Sequence, residues 1–164
     1  MASISSLENF LPNLRCYSRA LTGNPEIADD LVEKCLHTAI KNFEPAPQNG
    51  VRIWVFSLLH DVLIREAQSD RRLRKPTTLP QGSASDARVA DGREPGLQLA
   101  FHALGFAQKA VLFLMAVEDF SDQEAAIITR MTVANVRKAL RDALDQLSAL
   151  SLVFLALRRE GENE

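Results

Sequence analysis

The chain is short of the residues that build metal, redox and base-stacking sites: among 164 residues there are two cysteines, three histidines, one tryptophan and one tyrosine. Cys16 and Cys35 have no CxxC spacing, and each falls in an apolar register of a helical segment, so both are read as small, reduced core residues. His37, His60 and His102 are scattered and form no ligand set, and neither a metal nor a cofactor is expected. No Gly-rich phosphate loop, nucleophile elbow or pair of catalytic carboxylates is present, which argues against an enzyme. No run of eighteen apolar residues occurs and the N-terminus lacks a basic segment followed by an apolar one, so no membrane insertion and a cytoplasmic location are expected. A large excess of positive charge is missing too. The net charge of −2 excludes a non-specific nucleic-acid coat, whose affinity would come from neutralising many phosphates.

What remains is helical. Hydrophobic content is 46% and charged content 24%, ordinary for a soluble globular chain, and no segment shows the alternation of a half-buried strand, so the fold class is all-α. Leu11, Leu14, Tyr17, Ser18 and Leu21 mark a first helix that Pro12 opens and Gly23 closes. Asn24 and Pro25 start a second, with Ala28, Leu31, Cys35, Ala39 and Phe43 inward and Asp29, Asp30, Glu33, Lys34, His37 and Lys41 outward. A third runs from about Val51 to Arg74. It is almost continuously apolar from Ile53 to Leu59, as a central helix should be, and turns basic beyond Arg65, ending in the cluster Arg71, Arg72, Arg74 and Lys75. Residues 76–96 hold three Pro, three Gly and two Ser without apolar periodicity and read as a flexible linker. A second helical block begins near Leu97. The expected division is therefore two small helical domains, 1–75 and 97–148, joined by the linker 76–96 and followed by an extension, 149–164.

The second block carries two helix starts eleven residues apart. Ser121 and Glu124 have capping-box spacing, and Thr132 can cap a longer helix with a stripe of Val133, Val136, Leu140, Leu144 and Leu147. A turn of three or four residues between them makes a helix-turn-helix. Thr132, Asn135, Arg137, Lys138 and Arg141 then gather on the early, solvent-facing part of the second helix. Arg and Lys suit guanine edges or phosphates there and Asn suits adenine. Asp142 and Asp145 follow and would repel phosphate, so only the first two turns could lie close to a duplex. An ordinary helical hairpin with a solvated face fits this segment as well.

In order and spacing, LPNLRCYSRALTGNPEIADDLVEKCLHTAIKNF, then VRIWVFSLLHDVLIREAQSDRRLRK, a linker, and QKAVLFLMAVEDFSDQEAAIITRMTVANVRKALRDAL resemble an extracytoplasmic-function sigma factor of bacterial RNA polymerase, its region two and region four in turn. The resemblance covers about Phe10 to Leu147. It implies a promoter-specificity subunit that binds core RNA polymerase, directs initiation at promoter DNA, acts in a stress response and is held by an anti-sigma factor. The polymerase-binding positions it implies are Asp30, Leu31, Glu33 and Lys34. Those for the minus-ten element are Trp54, His60, Arg71, Arg72, Arg74 and Lys75, and those for the minus-thirty-five element lie on the helix from Thr132 to Leu147. Trp54, sitting in an apolar run, fits a core position as readily as a stacking platform.

Three departures from the family pattern shape a second expectation. Glu33 and Lys34 stand where Gln-Glu is usual, Arg130 and Met131 where a small residue commonly makes the turn, and Asp61 where an Asn is common. Together with Asp142 and Asp145 they would suit a sigma mimic that binds an anti-sigma factor without reading a promoter. The extension adds Leu150, Leu152, Val153, Phe154, Leu155 and Leu157, an apolar stretch that is expected either to lengthen the last helix and fold back on the first block or to dock a partner.

Overall fold

A computed structural model describes residues 5–43, 49–69 and 100–161, with side chains over 7–43, 49–69 and 100–149. The described residues are all-helical in these stretches. A single turn, α1 (Ser5–Glu8), leads into α2 (Leu11–Thr22), α3 (Pro25–Lys41) and α4 (Val51–Ser69), and the second half contributes α5 (Phe106–Ala116), α6 (Asp122–Thr129) and α7 (Val133–Gly161). The predicted linker lies outside the described residues.

Local chemistry fixes the helix ends. Pro12 occupies the first turn of α2 and Gly23 ends it in the left-handed region at φ 68°, donating its N–H to the Arg19 carbonyl at 2.9 Å; a Cβ at that φ would be strained. The Asn24 side chain accepts from the amides of Glu26 and Ile27 at 2.9 and 3.2 Å, opening α3 with Pro25 in its first turn. Ser121 caps α6 reciprocally: its hydroxyl takes the Glu124 amide at 3.2 Å while the Glu124 carboxylate takes the Ser121 amide at 2.8 Å. The Thr132 hydroxyl accepts from the Asn135 amide at 3.2 Å at the head of α7. All five starts and stops fall where the sequence places them.

The two helical blocks pack against each other. One continuous apolar cluster runs from Leu14, Tyr17 and Leu21 through Leu31, Cys35, Val55, Phe56, Leu59 and Leu63 into Val111, Phe113, Leu114, Phe120, Ile128 and Val136. Aromatic edges carry the junction between the halves. Tyr17 meets Phe113 with ring centroids 5.5 Å apart, Phe56 meets Phe120 at 5.2 Å, and His60 meets Phe106 at 5.7 Å. These distances lie within the favourable range for aromatic pairs. α4 is the central element, flanked by α2 and α3 on one side and by α6 on the other. Covered on several sides, it needs no wide polar face, which is why its sequence is apolar almost all round.

Two expected core positions are not core. Cys16 is exposed on α2, whereas Cys35 is fully buried. On α7 the buried contact is made by Val136, Ala139 and Ala143, while Leu144 is 48% exposed. Ala143 packs with Leu112 of α5, so the covered stripe runs through the alanines and leaves Leu144 on its flank. The backbone of α7 continues as helix to Gly161, so the last helix is indeed long; the apolar side chains of the extension lie outside the described residues.

Candidate nucleic-acid and partner surfaces

The three-residue connection Arg130 to Thr132 between α6 and α7 works because Arg130 adopts the left-handed conformation, φ 56°, and its N–H reaches the Ala126 carbonyl. A non-glycine residue at that φ is strained by about 1 kcal/mol, so something must hold it. Arg130 donates from Nε and a terminal nitrogen to the two oxygens of Asp61 on α4, at 2.8 and 2.6 Å. This two-pronged contact raises the already high arginine pKa through its hydrogen bonds to Asp61. The turn of the helical pair is thus tied to the first half of the chain.

Beyond the turn, Thr132, Asn135, Arg137, Lys138 and Arg141 are all exposed, and the structure brings them together on the first turns of α7 as the spacing predicts. They are not equally free. Arg137 donates Nε to Asp122 Oδ2 on α6 at 2.7 Å, and this contact holds the Asp122 carboxyl below its usual range. A base or phosphate contact by Arg137 would have to compete with that carboxylate. Asp142, half-buried, directly follows Arg141, and Asp145, exposed, lies about one helical turn beyond it.

The residues expected at a minus-ten-like surface divide. Trp54 is half-buried, packed edge-on against Phe43 at 6.1 Å. His60 is 3% exposed and hydrogen-bonded through Nδ1 to the Tyr17 hydroxyl at 2.8 Å. Burial depresses its pKa to about 4, the field of Arg130 adding to the fall and that of Asp61 opposing it. In this arrangement His60 is a neutral core residue bridging the two halves and has no route to a nucleic acid. Arg71, Arg72, Arg74 and Lys75 lie outside the described residues.

On α3, Asp30, Glu33 and Lys34 are exposed and, with His37, line a shallow groove. Lys34 Nζ lies 3.9 Å from Glu66 on α4. Leu31 is 1% exposed and belongs to the core, so it supports this surface from beneath and cannot present a side chain to a partner. Helical periodicity already places it inward, on the stripe with Ala28 and Cys35.

A second tie between the halves was not foreseen from sequence. Glu118, in the loop 117–121, is buried, and its carboxylate accepts from Asn13 Nδ2 at 2.8 Å and from Arg52 at 3.2 Å; the Arg52 guanidinium also stacks 4.1 Å from the centre of the Phe120 ring. Charge, hydrogen bonding and ring quadrupole coincide at this point. The only hint in sequence is a carboxylate set in an apolar stretch, MAVEDF, which implies a partner without naming one.

Comparison with known proteins agrees with this architecture. Residues 7–60 match the family described as the Sigma2 domain of PhyR. Over 151 residues, 87% of this chain and 81% of the relative, the sequence is 29% identical to the ECF RNA polymerase sigma factor EcfG of Rhodopseudomonas palustris strain TIE-1. The fold superposes on the sigma factor RpoE of Bartonella quintana, solved with the anti-sigma factor NepR, with a TM-score of 0.71 at 22% identity, covering 91% of this chain and 96% of that one. It also superposes on the anti-anti-sigma factor PhyR of the same organism, likewise solved with NepR, with a TM-score of 0.57 at 23% identity; the match covers 90% of this chain and spans half of PhyR. The chain is thus an all-helical protein with a sigma-factor-like fold, similar in sequence to an ECF sigma factor.

Proposed function

We propose that this protein is an ECF-type sigma factor: it joins core RNA polymerase, directs initiation at a particular class of promoter, and is held in check by an anti-sigma factor of the NepR kind. The observation that carries this reading is the similarity to EcfG over 87% of the chain, a length that reaches well beyond the first helical block. Support comes from the exposed Asn135, Lys138 and Arg141 on the head of α7, a set suited to base edges and phosphates. The groove of Asp30, Glu33, Lys34 and His37 on α3 is the candidate polymerase-facing surface. In this reading the basic cluster Arg71, Arg72, Arg74 and Lys75, which follows α4 in sequence, holds the opened strand by its phosphates.

The test is reconstitution. Mixed with purified core polymerase, the chain should co-elute as a holoenzyme and support transcripts that core alone does not make. A NepR-type protein added in slight excess should abolish them.

A second reading has its own observation. The family match over residues 7–60 is to PhyR, an anti-anti-sigma factor, and Arg137 is already paired with Asp122. A sigma mimic would bind the NepR-type protein and release a genuine sigma factor from it while yielding no transcript itself. The same reconstitution separates the two.

A further inference from the structure

The register of α7 runs on past the body that covers it. Val133, Val136, Leu140, Ala143 and Leu147 follow one another at alternating steps of three and four residues, and each is buried or half-buried. They form the face that packs on α5 and α6. Phe101, Leu104 and Leu112 close the far end of that face against Leu140, Ala143 and Leu147. The same alternation continues without a break at Leu150, Phe154 and Leu157, and the backbone stays helical to Gly161. A three-four repeat sustained in this way is the seam of a left-handed coiled coil.

Length limits what the body can cover. At 1.5 Å per residue the 29 residues of α7 span about 43 Å, whereas the 11 of α5 span about 16 Å and the 8 of α6 about 12 Å. Even laid end to end, α5 and α6 fall short of α7 by about 15 Å, the distance from Leu147 to Leu157 along the axis. The apolar stripe also widens where its cover ends. Leu144 is 48% exposed beside the seam, and Leu155, eleven residues on, takes a position within about 20° of it round the helix. The linker is poorly equipped to cover this stripe, since residues 76–96 offer only Leu79 and Val89 as large aliphatic residues. A segment of about 15 Å is also too short to cross a bilayer, whose hydrocarbon core is about 30 Å thick.

We propose that the distal third of α7 is a self-association surface, on which the seam from Leu150 to Leu157 pairs with the same segment of a second copy of this chain. Leu144, Leu150, Val153, Phe154, Leu155 and Leu157, at roughly 100 Å² each, amount to about 1,200 Å² over two copies, the lower end of specific protein–protein interfaces. Residues 146–157 carry no charge, so two identical segments meet without repulsion, and a repeating seam is self-complementary about a two-fold axis. The pairing does not rest on the promoter-reading function proposed above. Leu150 lies about 14 Å beyond Arg141 along α7, so self-association leaves the cationic head of the helix clear in each copy.

The experiment is sedimentation equilibrium of the purified full chain over a concentration series spanning the micromolar range. The weight-average mass should climb from one chain to two. Phe154→Glu and Leu150→Glu each set a charge in the seam and should raise the dissociation constant at least roughly tenfold, with helical circular dichroism and melting unchanged at dilutions where parent and variant are both monomeric. Asp145→Asn, on the exposed side away from the seam, should leave the constant as it is. A single-chain mass at every concentration would overturn the proposal. Two further measurements say what then covers the stripe: a monomer that Phe154→Glu makes melt earlier has the seam folded onto its own body, and a monomer that floats with phosphatidylglycerol vesicles lays it on a membrane surface. A dimer indifferent to both glutamates would place the contact elsewhere and overturn the proposal as well.

Discussion

His60 shows how a single side chain couples the halves to the solution. Its neutral ring is enclosed by Tyr17 and Phe106 and its pKa is depressed to about 4. The unfolded chain carries an ordinary imidazole near 6.5. The unfolded state therefore binds the extra proton first. Stability is fully present above pH 6.5, falls as the pH drops, and stops falling on this account only near pH 4, for a total of about 3 kcal/mol. Urea unfolding at pH 7, 5.5 and 4.5 should show this decline, and His60→Gln should flatten it; a parent chain equally stable at all three values would contradict the buried neutral assignment. Ser121 supplies a simpler test. Its hydroxyl caps α6 and accepts the Glu124 amide, so Ser121→Ala should lower the unfolding free energy by about 1 kcal/mol, measured by chemical denaturation. At Arg137 two contacts compete. If this side chain reads a base, Arg137→Ala should weaken promoter binding by about 1–3 kcal/mol, and Asp122→Asn, which removes its present carboxylate partner, should strengthen it. Equal binding by all three proteins in a salt-controlled titration would take Arg137 off the DNA surface.

At the level of elements, what the sequence made legible was local. Gly23 donates to a carbonyl four residues back, and Asn24, Ser121 and Thr132 accept from amides two or three residues ahead, so the helix boundaries they set could be read without any fold. The stripe of α3 was legible for the same reason, because its covered face follows one register from Ala28 to Ala39. The face of α7 was not. Periodicity finds an apolar side but cannot say that Ala139 and Ala143, and not Leu144, will meet α5, since that depends on how closely two helices approach. Cys16 failed likewise: next to a buried Tyr17 and Ser18 it lies on the flank of the stripe, and which flank is covered is decided by neighbours distant in sequence. α4 was recognised as central from its apolar run. Its Leu59 is wholly buried, and Leu59→Ala should cost about 2–5 kcal/mol in unfolding free energy, against little for the exposed Gln68→Ala on the same helix.

At the scale of the molecule, the two helical blocks read from sequence share one apolar cluster, a contact on which the sequence was silent. Asn13 and Glu118 are 105 residues apart and Asp61 and Arg130 are 69 apart. No periodicity or cap links such positions, so the junction was invisible even though Asp61 and Arg130 each stood out as departures from the family pattern. Those two departures become one feature once the fold is present: each compensates the other across the seam. Of the two ionic contacts between the halves, the solvent-facing Asp61–Arg130 pair is worth only about 0–1 kcal/mol, whereas the buried Glu118 depends on its partners Asn13 and Arg52. Reconstituted transcription addresses function most directly. Purified core polymerase is combined with this chain on fragmented genomic DNA of the source organism, and the 5′ ends of all transcripts are sequenced. A sigma factor yields new start sites sharing a paired upstream motif, lost when a NepR-type protein is added. No holoenzyme and no new start sites would contradict it.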